Sequence, residues 1–141
     1  MDKIIKEKIS ADHLLYVSLK YTKTCDVIIN LILRWRRMIE LGIENLIEKA
    51  QKKKKWKEVP DAPRAKLIQL KKIYENDVLL SEVFKMYELF RDIELLEKVR
   101  ENEFRKGVNL KVVYRGETIN INLEKLKEYS AILERFISSL K

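Results

Sequence analysis

Two basic stretches carry the residue types best suited to chemistry. The first is Lys52, Lys53, Lys54 and Lys55, followed by Trp56 and Lys57. Ammonium groups hold phosphates and an indole stacks on a base or sugar, so this tract is a candidate nucleic-acid contact. The same residues equally suit a solvated helix end, where cations offset the negative C-terminus of the helix. The second stretch is Arg100, Arg105, Lys106 and Lys111. Charge is unevenly spread around the first stretch. Between Arg34 and Lys57 there are nine basic residues against three acids, a net +6 out of the chain's +8. Such a bias points to a polyanionic partner, RNA or DNA.

Other chemistries find little footing. The single histidine, His13, and the single cysteine, Cys25, lie twelve residues apart. On one helix that is roughly 18 Å, too far for a nucleophile–base pair. Cys25 falls on an apolar stripe with Ile28, as a small buried hydrophobe would. Gly42, Gly107 and Gly116 are too scattered to form a phosphate-cradling loop. Glu94 with Glu97 and Glu101 with Glu103 are the best carboxylate pairs for a metal, but they lack histidine partners and read as a solvated face. The sequence therefore leads us to expect no metal, no cofactor and no small-molecule substrate.

The elements that position these residues are mostly helical. With 141 residues the chain is long enough for one domain with one core. Three glycines and two prolines disfavour a β-rich fold, and 37% charged residues suit helices with ion-paired surfaces. A Lys- and Glu-rich surface of this kind is common in thermophiles, and an AT-rich genome gives similar lysine and isoleucine. No apolar run reaches transmembrane length, and nothing resembles an export signal, so the expected compartment is the cytoplasm.

Leu14, Tyr21, Ile28, Trp35 and Gly42 fall seven apart, with Val17, Thr24/Cys25, Leu31/Ile32, Met38/Ile39 and Leu46 between them. This spacing predicts one long N-terminal helix over about 11–55. Ile29 and Leu33 lie off that stripe, so a second face also needs covering, and a homodimer through the long helix would cover it. Pro60 and Pro63 end the helix. Further helices are predicted over 62–75, 78–102 and 123–140, with Asp61, Asp77 and Asn122 as caps. Between 109 and 121 the apolar period falls to two on either side of Arg115-Gly116, which predicts one β-hairpin. The expected architecture is a mainly α bundle, residues 1–141, built on the long helix with one small hairpin before the last helix.

The run Arg100-Glu-Asn-Glu-Phe-Arg-Lys-Gly107 resembles the motif of the HEPN superfamily. These are small helical dimers that include toxin-type ribonucleases, and the chain also resembles small archaeal helical proteins of this general kind. Active HEPN members carry an Arg, four to six residues, then a His at a helix junction. Here Arg100 matches the Arg, and Gly107 stands where the His would be. The resemblance implies a degenerate, non-catalytic, dimeric module associated with nucleic acid. Two alternatives remain: a metal-independent ribonuclease using Arg100, and a scaffold or antitoxin-like protein partner.

Overall fold

The structure, a computed structural model, describes residues 1–54, 56 and 58–141. It is mainly helical, with five helices among the described residues and a three-stranded antiparallel sheet. The long N-terminal helix of the sequence reading is two helices. Helix α1 (residues 2–21) comprises an α-helix Asp2–His13, a π turn Leu14–Ser18 and a closing α turn Leu19–Tyr21. Helix α2 follows over Cys25–Lys52. The break is chemical. Thr24 takes an extended backbone, and its hydroxyl accepts from the Val27 N–H at 3.4 Å, an N-cap that starts a new helix.

Helix α1 folds back antiparallel along α2, shown by Arg34 paired with Glu7 and by Asn45 against Met1. This return explains the doubly apolar stretch of α2. Ile28, Leu31, Ile32, Trp35, Met38 and Ile39 are buried on the main stripe, while Ile29 and Leu33 are partly covered and pack on the same core. Part of the cover that the second face needs is thus supplied within the chain, where α1 packs along α2.

The stripe expected on α1 is also displaced. Its buried residues are Ile4, Ala11, Leu15 and Leu19, while Val17 and Tyr21 are exposed. In the π turn the Leu19 N–H bonds the Leu14 carbonyl, five residues back. The wider turn rotates the residues that follow it relative to a regular helix.

Helix α3 (Pro63–Ile73) begins with proline at its first position; its N-cap is Ala62 rather than Asp61, and no side chain caps it. Helix α4 (Val78–Asp92) is capped as expected by Asp77, which accepts from the Leu80 N–H at 3.0 Å. It stops ten residues earlier than its sequence suggests. After a 3-10 turn Ile93–Leu95 the chain becomes strand β1 (Glu97–Glu101). At the stop the Lys98 ammonium donates to the carbonyls of Ile93, Glu94 and Leu96 at 2.9–3.0 Å, satisfying acceptors left free where the helix gives way to the strand.

Strand β1 pairs with β2 (Asn109–Tyr114), which pairs with β3 (Glu117–Asn122). The expected hairpin is therefore the second half of a three-stranded meander. Its turn is Arg115-Gly116, both with positive φ (51° and 79°), as the tight hairpin turn requires. Leu110, Val112 and Ile121 are buried beneath the sheet. The exposed edge strand β1 is mostly charged, which discourages pairing with another chain. Helix α5 (Leu123–Leu140) starts at Asn122, whose side chain accepts from the Lys125 N–H at 2.9 Å.

The centre of the core is aromatic. Phe90 on α4 stacks on Trp35 of α2 at 6.0 Å and meets Tyr129 of α5 edge-on at 5.2 Å. Burial pushes the Tyr129 hydroxyl up to about 12. Helices α2 and α5 approach so closely at Gly42 that a Cβ there would lie 2.6 Å from the Phe136 ring.

A polar lock joins the hairpin to the bundle. Glu88, nearly buried on α4, is held by Lys71 of α3 and by Arg115 of the hairpin turn at 3.1 Å. Burial acts to raise the Glu88 carboxyl, but the hydrogen bond and charge of Lys71, with the charge of Arg115, override it and leave its pKa below the usual value. A carboxylate depressed in the folded state adds stability above its unfolded pKa, and that stability is lost as pH falls through the folded one. The acid limb of a stability–pH curve is therefore expected to be steeper for the native chain than for Glu88→Gln. Identical limbs in chemical denaturation at stepped pH would show that the lock contributes nothing.

Candidate nucleic-acid interface

The residues singled out from the sequence fall into three groups in space. Lys52, Lys53 and Lys54 are exposed at the C-terminal end of α2, and Lys54 turns the chain with a φ of 57°. Lys55 and Lys57 lie outside the described residues. Trp56 is not available for stacking. It is 6% exposed, belongs to the core cluster, and donates its indole N–H to Gln69 at 2.6 Å. An indole whose N–H finds a partner on α3 gains more from burial than from solvent. The aromatic half of the expected lysine–tryptophan site is thus a packing residue.

Arg100 lies on β1 rather than at a helix junction. It bonds Asp26 at 2.7 Å and approaches Glu103 at 3.8 Å, so its charge is locally matched. Cys25 is buried, its thiol donating to the Asn109 carbonyl at 3.3 Å, and burial pushes its pKa up. His13 is exposed, with only Ser18 within reach of its ring nitrogen, at 3.5 Å. Among the described residues no group of three or more His, Cys, Asp or Glu could hold a metal ion, and no helix is long and apolar enough to cross a membrane.

Arg105 and Lys106 belong to a different surface. They sit in the loop joining β1 to β2, and this loop is tied to the α1–α2 turn by the Phe104 N–H, which donates to the Lys23 carbonyl at 2.6 Å. Within the loop Asn102 donates to the Gly107 carbonyl at 3.2 Å, and Val108 N–H bonds the Arg105 carbonyl at 3.0 Å. The docking brings Lys106 beside residues remote in sequence. A pocket of about 220 Å3 opens there, walled by Leu15, Leu19, Val108 and Leu123, with Tyr16, Lys20, Lys23, Lys106 and Lys127 around it. No acidic residue lines it. Among the described residues no carboxylate lies within ion-pair distance of its four lysines.

Exposed aromatic rings share this end of the molecule. Tyr16 is 53% exposed, Tyr21 78% and Phe104 77%. The Lys20 ammonium stands 5.8 Å from the Tyr21 ring centre. Phe104 holds a left-handed backbone with φ of 66°. For a bulky aromatic residue that is a strained conformation, costing on the order of 1–3 kcal/mol. The strain is not repaid by burial of the ring.

Comparison with protein-family models, curated proteins and solved structures finds no match. The surface is therefore read from its own chemistry. Sequence reasoning found Arg105 and Lys106 but missed Lys20, Lys23, Lys127, Tyr16, Tyr21 and Phe104. Tyr21 had been assigned to the buried stripe, which the π turn and the helix break dissolve. The four lysines come from α1, the turn after it, the β1–β2 loop and α5, so no local cluster marks them.

Proposed function

We propose that this protein is a non-enzymatic module that binds single-stranded nucleic acid at the end of the molecule formed by α1, the β1–β2 loop and the start of α5. The observation that carries the reading is that exposed rings share their segments with cations that no carboxylate pairs among the described residues: Tyr16 and Tyr21 with Lys20 and Lys23, and Phe104, tied to Lys23, with Arg105 and Lys106. Proteins that bind single strands combine a basic track for phosphates with rings on which unpaired bases stack. Tyr16, Tyr21 and Phe104 supply the rings, and Lys20, Lys23, Arg105, Lys106 and Lys127 supply the track. A protein-binding face would carry exposed rings too, but it has no need of four lysines without an acid among them.

Fluorescence anisotropy with an unstructured oligonucleotide tests this, using both RNA and DNA at low salt. The double variant Tyr21→Ala, Phe104→Ala is expected to weaken binding by ~1–3 kcal/mol for each stacked base lost. Its salt dependence should stay that of the native chain, because no cation has been removed. Absence of binding at about 50 mM salt, where phosphate contacts are strong, would refute the proposal.

A further inference from the structure

The basic track explains binding along a strand. It does not explain why a partly open, mainly apolar pocket lies in the middle of that track. We infer that this pocket is an end-recognition site: it takes the terminal nucleotide of a single strand, the base between the apolar walls and a terminal phosphate monoester on the lysine rim. The inference rests on the single-strand reading above and adds to it a ligand chemistry.

Three features of the pocket support an end rather than a chain interior. The first is charge density. An internal phosphodiester brings one negative charge, whereas a phosphate monoester carries about −1.5 to −2 at pH 7. Lys20, Lys23, Lys106 and Lys127 all border one pocket of about 220 Å3. An internal strand would spread such cations along its path.

The second is the lining. Leu15, Leu19, Val108 and Leu123 form an apolar slot that offers a base dispersion contacts and removes it from water. The polar groups stand around that slot, as the ammonium groups must if they are to meet the phosphate while the ring lies inside.

The third is the backbone. Leu15 and Tyr16 lie within the π turn, a rare feature that is frequent at functional sites. Both residues of the turn line the pocket, Leu15 buried and Tyr16 exposed.

The test uses the full-length chain and three labelled oligonucleotides of one unstructured sequence. One carries a 5′-phosphate, one a 3′-phosphate and one hydroxyl groups at both ends, with the label placed internally. One phosphorylated end is expected to bind at least about tenfold more tightly than the hydroxyl-ended strand, a difference of about 1.4 kcal/mol. Which of the two does so assigns the polarity. The surface substitution pair Lys106→Gln, Lys127→Gln should reduce that preference to within about twofold. A mononucleotide with the matching phosphate should displace the preferred strand at concentrations where inorganic phosphate does not. Equal affinity for all three strands overturns end recognition and leaves the single-strand reading standing. Binding of none overturns both. A preference that survives in the lysine pair, or that inorganic phosphate erases as well as the mononucleotide does, overturns the placement in this pocket.

Discussion

Phe90→Ala is expected to lower the stability of the chain by about 3–5 kcal/mol, the range for removing a buried aromatic side chain. That is a large share of the 5–15 kcal/mol typical of a whole domain. Phe90 is fully buried, and its ring is the shared contact of three helices, stacked on Trp35 of α2 and edge-on to Tyr129 of α5. Such pairs add about 0.5–1.5 kcal/mol each beyond the area they bury. The cavity cannot easily collapse, because Trp35 and Tyr129 also meet each other at 6.3 Å and hold the helices apart. Phe104→Ala is the internal contrast. Its ring is exposed, so the same chemical change should alter the unfolding free energy by less than about 0.5 kcal/mol. Urea melts of the two variants side by side check both statements. A loss under about 1 kcal/mol at Phe90 would mean that the aromatic cluster is not the centre of the core.

The second large effect concerns the salt dependence of binding. The triple variant Lys20→Gln, Lys106→Gln, Lys127→Gln should make the slope of log affinity against log salt shallower by about 2. Each phosphate contact with a single strand contributes about 0.7 to that slope through counterion release. The parallel variant Lys52→Gln, Lys53→Gln, Lys54→Gln removes the same formal charge from the far end of α2. If that tract is a solvated helix end, its slope stays close to the native one. The pair of variants thus separates two surfaces, the lysine tract that the sequence displays and the pocket surface that the fold assembles. A slope flattened by the second variant and not by the first would move the contact to the lysine tract. All six residues are polar at or near the surface, so far-UV circular dichroism should show an unchanged fold for both.

The distance between the two surfaces shows where sequence reasoning is strong and where it fails. Lys52 to Lys55 stood out because they are adjacent in the chain, and adjacency is what a sequence displays. The cations around the pocket are separated by up to about a hundred positions. Contacts between remote segments, among them the bond from the Phe104 N–H to the Lys23 carbonyl, and the return of α5 bring them together. Trp56 shows the converse error. An aromatic residue inside a basic run looks like a stacking platform until its N–H is seen bonded to Gln69 thirteen residues on.

What the sequence by itself determined was local and periodic. Apolar spacing marked the buried face of α2 from Ile28 to Leu46, and period-two alternation with Arg115-Gly116 marked strands β2 and β3. Asp77 and Asn122 marked helix starts because a cap is a bond between near neighbours. The mainly α character followed from the same signals. Tertiary structure alone decided three things. It ended α4 at Asp92, because Glu97–Glu101 suits a helix by composition but gains a ladder of hydrogen bonds by pairing with β2. It folded the first helix back along the second, because an apolar stripe continuing through Thr22–Thr24 serves a folded-back pair as well as one straight helix, and the local Thr24 cap marks only where the second helix starts. It assembled the lysine-rimmed pocket, because the charges that border it are joined by packing and not by spacing along the chain.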